Sequence, residues 1–123
     1  MERINAGAVS DLPFCSAVKA NGFVFVSGQA SVDSETGAII NGSFEEEMRR
    51  SIANLKAVLE ASGSSLDQVI NIKSYVQNQD DIKQYNEIYR EYFSVAQPSR
   101  STIINCLGTM LLFELDCIAL YED

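Results

Sequence analysis

Apolar residues along this chain recur at two spacings, every second position in some stretches and every third or fourth in others, and the alternation between them predicts the elements. Phe14–Ala20 and Phe23–Ser27 are strand-like runs on either side of Asn21-Gly22. That dipeptide can adopt the two positive φ angles of a type I′ turn, so the stretch predicts a β-hairpin running into Gly28-Gln29. At Gly28 the missing side chain would let a ligand or another strand approach the backbone closely, although a simple strand exit fits the local sequence as well. From Ala30 to Asn41 no period is sustained, and the turn formers Asp33-Ser34-Glu35-Thr36-Gly37 predict a loop.

Ser43 and Glu46 then have the spacing of a capping box, and Met48, Ile52, Leu55, Val58 and Leu59 form one helical stripe ending near Gly63. Glu45, Arg49, Arg50, Lys56 and Glu60 fall on its polar side. Val69–Val76 alternates as a strand, with Ile70, Ile72 and Val76 on its more apolar face. A second helix is expected from about Asp80 to Ser94, where Ile82, Tyr85, Ile88, Tyr89, Tyr92 and Phe93 share a stripe typical of core and boundary residues. Pro98 stops further helix, and two strands follow, 97–105 and 112–119, around a turn at Gly108-Thr109.

The order ββαβαββ predicts an α+β fold, a mixed sheet with two helices on one face, in a single domain over residues 1–123. Two helices cover one face only. Phe23–Val26 and Leu111–Phe113 offer apolar side chains to both faces, so the face away from the helices is expected to meet another copy of the chain.

Charge narrows the chemistry. Nine Lys and Arg stand against seventeen Asp and Glu, and a net charge of −8 disfavours nucleic acid as a partner. No run reaches the length of a membrane span, and the start at Met1-Glu2-Arg3 lacks a charged-then-apolar leader, so a soluble cytoplasmic protein is expected. The chain has no histidine, which removes imidazole as base, nucleophile partner or metal ligand. Cys15, Cys106 and Cys117 show neither paired nor metal-ligand spacing. With no phosphate loop or dinucleotide fingerprint either, no metal and no cofactor are expected. What remains conspicuous is charge inside apolar strands: Arg100 in the first of the last two, Glu114 and Asp116 in the second. Buried charge is costly unless paired or facing a solvated cleft, so these positions mark either a site or ordinary ion pairs on an exposed strand face. Arg100 and Thr102 share one face of their strand, and Glu114 and Asp116 share a face of the next, so one cleft can receive Arg100, Thr102 and Glu114.

At Gln97-Pro98-Ser99-Arg100-Ser101-Thr102 and Phe113-Glu114-Leu115-Asp116-Cys117-Ile118-Ala119 the sequence resembles the RidA/YjgF family of reactive intermediate imine deaminases. The likeness extends to Leu12-Pro13-Phe14, Val26-Ser27-Gly28-Gln29 and Tyr85-Asn86-Glu87-Ile88-Tyr89, in the family's order. It implies a chorismate-mutase-like fold, a homotrimer with ligand clefts between neighbouring subunits, and hydrolysis of 2-imino or enamine acids such as 2-iminobutanoate and 2-iminopropanoate to 2-oxo acids and ammonia. Carried over by motif, Arg100 would bind the substrate carboxylate and Glu114 would position or activate water. Phe14, Gly28, Thr102 and Asn86 would line the pocket. Phe14 stands where the family has tyrosine and Thr102 where it commonly has cysteine, while Cys106–Met110 departs from the family's turn. Two other readings compete: a non-catalytic trimeric regulator that senses small carboxylates, which needs Arg100 but not Glu114, and a protein-interaction scaffold, which needs neither.

Overall fold

Six strands pair into one sheet, and the computed structural model, which describes residues 1–122, orders them β1-β2-β3-β6-β4-β5. The strands are β1 (Glu2–Ile4), β2 (Ala17–Ala20), β3 (Phe23–Ala30), β4 (Val69–Val76), β5 (Ser99–Ile104) and β6 (Phe113–Leu120). The helices are α1 (Phe44–Ala61) and α2 (Ile82–Phe93), with single 3₁₀ turns at Leu66–Gln68 and Gln79–Asp81. All pairings are antiparallel except β4 with β5, which α2 connects as a parallel crossover. The mixed α+β architecture matches the expectation. Its order differs by β1, three residues paired with β2, too short to carry a readable period.

The hairpin forms as its turn requires, with φ of 53° at Asn21 and 86° at Gly22. Helix α1 starts on a complete capping box: Ser43 Oγ accepts from the Glu46 amide, and the Glu46 carboxylate accepts from the Ser43 amide at 2.9 Å. Such a cap contributes about 1 kcal/mol. The whole predicted stripe of α1, Met48 through Leu59, is buried against β3 and β6. Phe113 of β6 joins the two helices, its ring 5.9 Å from Phe44 of α1 and 6.0 Å from Tyr85 of α2. Both helices therefore lie on one face. On the other face Phe23, Phe25, Ile103 and Leu120 remain exposed, the uncovered apolar surface that the pattern implied.

Two bulges correct the simple alternation. Between Val69 and Asn71 the ladder to β6 advances two residues on β4 for one on its partner, which makes Ile70 the extra residue. Ile70 is consequently exposed, not on the buried face with Ile72 and Val76; Ser74 shares that face instead. Between Val26 and Gln29 β3 likewise gains one residue on β6, at Ser27-Gly28.

Candidate active site

The second bulge lies beside Glu114. Val24 and Val26 face the helices, and after the extra residue Gln29 faces them too, so Gly28 turns its empty side toward the Glu114 carboxyl on the open face. A Cβ at Gly28 would lie 3.2 Å from the carboxyl carbon and from Oε1. Ser27 fixes this corner: its hydroxyl donates to the Cys15 carbonyl at 2.8 Å and its amide to the Ser16 carbonyl at 2.9 Å, which brings Phe14 alongside. Segment 5–16 is held in turn by Ser16 Oγ, which donates to the Ala6 carbonyl and accepts from its amide, and by the Val9 amide, which donates to the Ser34 carbonyl.

Together these segments enclose a cavity of about 540 Å³, with Phe14, Gly28 and Glu114 in its wall. Glu114 is half-buried there, and burial, reinforced by the negative charge of Asp116, raises its pKa above the ordinary carboxylate value. Asp116 itself accepts a 2.7 Å hydrogen bond from the Tyr75 hydroxyl. That bond is the main reason the Tyr75 phenol is pushed up to about 12. Tyr75 stays protonated and donating, and Asp116 is engaged in that bond.

Arg100 belongs to a different surface. In the parallel ladder Ile72 pairs with Arg100 and Ser74 with Thr102, so both point to the helix side, whereas Glu114 and Asp116 pair with Tyr75 and Lys73 on the open side. Within one chain, therefore, Arg100 and Glu114 occupy opposite faces of the sheet and do not share a cleft. Strand parity was legible in the sequence, but the relative phase of two strands that never touch was not: β4 lies between them.

Around Arg100 the structure assembles a holder. Its guanidinium carbon sits 4.9 Å from the Tyr85 ring centroid and 4.7 Å from that of Tyr89, and Nη1 donates to Asn86 Oδ1 at 2.9 Å. Among the described residues the ion pairs are made by Lys19 and Arg49, none by Arg100, whose remaining N–H groups are free for a ligand. Thr102 lies one pleat further on, its hydroxyl 2.9 Å from that of Tyr85. Tyr85 and Tyr89, read from their spacing as core and boundary residues, are that and also the stacking surfaces for the cation. Aromatics four apart on α2, facing a strand arginine, were the available signal.

Sequence reasoning missed one buried acid. Glu47, 1% exposed, accepts the Leu112 amide at 2.9 Å and the Gly42 amide at 3.3 Å, anchoring the start of β6 two residues before Glu114. Its place among Phe44, Met48 and Ser51 on the buried side of α1 was the clue. The altered turn at 106–110 is tied down by Gln77, which accepts the Leu107 amide at 2.7 Å and donates to Asn105 Oδ1 at 3.0 Å. No group of residues suited to a metal occurs among the described residues, and no described helix is long and apolar enough to cross a membrane.

Known proteins match this chain along its length. The family model described as Endoribonuclease L-PSP matches residues 6–121. A RutC family protein of Pyrococcus abyssi is 38% identical over 111 residues, 89% of this chain and 87% of the relative. A protein of Dermatophagoides farinae named 2-iminobutanoate/2-iminopropanoate deaminase is 31% identical over 91 residues, 74% of this chain and 71% of the relative. Among solved structures, a putative endoribonuclease of Thermotoga maritima superposes with a TM-score of 0.90 at 34% identity, covering 100% of both chains. Motifs, fold and relatives agree: the chain belongs to the Endoribonuclease L-PSP family, the RidA/YjgF family that its sequence resembles.

Proposed function

We propose that this protein is a deaminase that hydrolyses reactive 2-imino acids, of the 2-iminopropanoate and 2-iminobutanoate type, at clefts between the subunits of a homotrimer. Arg100 of one chain would face Glu114, Gly28 and Phe14 of the next. The observation that carries this reading is an unpaired guanidinium held on the edge strand β5, together with a carboxyl of raised pKa in an apolar cavity on the opposite face. Neither half is sufficient alone, and the exposed apolar sheet face supports a second copy as the means of joining them. The relative named a 2-iminobutanoate/2-iminopropanoate deaminase supports the choice of reaction.

The chemistry suits these groups. The guanidinium fork binds the planar substrate carboxylate through two parallel hydrogen bonds, which fixes the adjoining C=N carbon. The substrate reacts as its protonated imine: Glu114 as carboxylate takes a proton from water while the water oxygen bonds to that carbon and the C=N π electrons move onto nitrogen, giving a neutral carbinolamine. The resulting carboxylic acid returns the proton to nitrogen, the C–N bond breaks as ammonia leaves, and the carbinolamine hydroxyl gives its proton to the re-formed Glu114 carboxylate, and from there to ammonia, as the C=O bond of the 2-oxo acid forms. An imine carbon is already electrophilic, so positioning suffices without metal or imidazole. Ribonuclease action, which the family's description names, fits this chain poorly, since a net charge of −8 opposes a polyanion.

The test generates 2-iminopropanoate and 2-iminobutanoate in place with an amino-acid oxidase and follows their decay. Wild type accelerates decay and Arg100→Ala does not. Mixed oligomers reassembled from Arg100→Ala and Glu114→Ala chains regain activity, because some clefts then receive Arg100 and Glu114 from different intact positions. A correctly folded oligomer that leaves imine decay unchanged overturns the deaminase reading. Failure of the mixture to recover, with wild type active, overturns the shared cleft.

A further inference from the structure

The Glu114 cavity is larger and more apolar in its wall than a substrate with a one- or two-carbon side chain requires. Its volume of about 540 Å³ lies in the range, roughly 300–1,000 Å³, of pockets that enclose drug-sized ligands. Val9, Leu12, Phe14, Val32, Ile39 and Leu111 supply its apolar wall. Of these Val9 is 55% exposed, Leu12 60% and Phe14 52%, a concentration of solvent-facing hydrophobes at one cavity mouth. Such clustering marks a surface shaped for an apolar ligand.

Asn5 and Ser10 are exposed polar members of the wall, and the two more enclosed ones are already engaged. Ser16 is engaged with Ala6, and the Gln29 amide donates to the Ser27 carbonyl at 3.1 Å. Among the described residues Glu114 is the one charged side chain in the wall. An acidic substrate side chain would meet that carboxylate, and a basic one would neutralise it and occupy the place of the water.

From this we infer that the cavity is a specificity pocket for the substrate side chain, selecting 2-imino acids with larger aliphatic or aromatic side chains over the three- and four-carbon compounds. The inference rests on the deaminase reading for its reaction but on the cavity alone for its selectivity. Phe14 and Leu12 receive the side chain while the C=N carbon stays beside Glu114. Each additional buried methylene favours the bound state about fourfold, provided the chain lies against the wall.

The experiment measures kcat/KM for imines generated from alanine, 2-aminobutyrate, norvaline, leucine, phenylalanine and aspartate. In parallel, calorimetry measures the affinity of the corresponding 2-oxo acids, which needs no turnover. Expected is a rise of about fourfold per methylene from alanine to norvaline, high values for leucine and phenylalanine, and rejection of aspartate. Leu12→Asn and Val9→Asn flatten that profile. Hydrolysis of the small imines with a flat or falling profile overturns the pocket and leaves the deaminase standing; the neighbouring chain then covers the wall. No hydrolysis of any imine, with 2-oxo acid affinity still rising with length, overturns the deaminase and supports the pocket. Absence of both trends overturns both.

Discussion

Adding a single methyl group at Gly28 separates the chemistry of Glu114 from the stability of the fold. The backbone of Gly28 is not in the left-handed region, so alanine meets no φ penalty. Its Cβ would meet the Glu114 carboxyl carbon and Oε1 at 3.2 Å and Oε2 at 3.4 Å. The carboxyl must withdraw by a few tenths of an ångström or leave its rotamer, which costs about 0.5–1.5 kcal/mol for a twist near 30°. If misplacement by 1 Å costs about a hundredfold in rate, a withdrawal of roughly 0.3–0.5 Å lowers kcat by about four- to tenfold. KM changes little, because Arg100 and not Glu114 holds the carboxylate. The methyl also removes water from Glu114, so the acidic limb of the rate profile moves to higher pH. Imine decay under initial-rate conditions across pH, together with a thermal melt, reads all three. The melting temperature should remain within about 4 °C of wild type, the shift expected for roughly 1 kcal/mol in a domain of this size. Unchanged kcat in an intact oligomer refutes the placement of Glu114 at the reacting carbon, and a parallel rise in KM refutes the division of labour.

Glu114 should also couple activity to stability. Its folded pKa is raised by burial, so its favourable contribution is complete below the unfolded pKa and is lost as pH rises through the folded one; activity, which needs the carboxylate, rises over the same window. Glu114→Gln should abolish turnover yet melt higher than wild type near neutral pH, and an equal or lower melting temperature counts against the burial argument. Tyr89→Leu removes one of the two rings stacked on Arg100 and should raise KM about two- to fivefold with kcat preserved. Tyr89→Phe keeps the ring, and because the Tyr89 hydroxyl is buried without a partner among the described residues it should restore KM; a phenylalanine variant as weak as leucine dismisses the stacking role. Glu47→Gln places an amide N–H against one of the two backbone N–H groups that the buried carboxylate accepts from and should cost about 1–3 kcal/mol in denaturant unfolding, with unchanged stability disproving the anchor.

Where the sequence was legible, local chemistry decided the structure. The Asn21-Gly22 turn, the Ser43–Glu46 cap and the stripe from Met48 to Leu59 each depend on residues within a few positions of one another. Exposure of Phe23 and Phe25 followed from counting helices against sheet faces. The bulge at Ile70 was not legible, since an extra residue in a ladder is defined by its partner strand, and Ile70 has the same character as its buried neighbours. For the same reason the motifs gave Arg100 and Glu114 but not their separation. Tyr85 and Tyr89 carried a correct core assignment that concealed a second use, because burial of one ring face leaves the other free to stack.

The bulge at Ser27-Gly28 makes this site depend on residue count as much as on residue identity. If β3 alternated without interruption, Gly28 would turn to the helices and the Gln29 side chain, now packed inside, would stand against Glu114. Deleting Gly28 would let Gln29 keep its pairing with Leu115 and Val26 its pairing with Cys117, so the sheet could close over the loss with the Ser27 side chain on the open face where the glycine leaves room. The open space in front of the carboxyl would not survive. Such a shortened chain would fold with an ordinary ladder and a blocked Glu114, a loss of function produced by an indel that no table of tolerated substitutions anticipates.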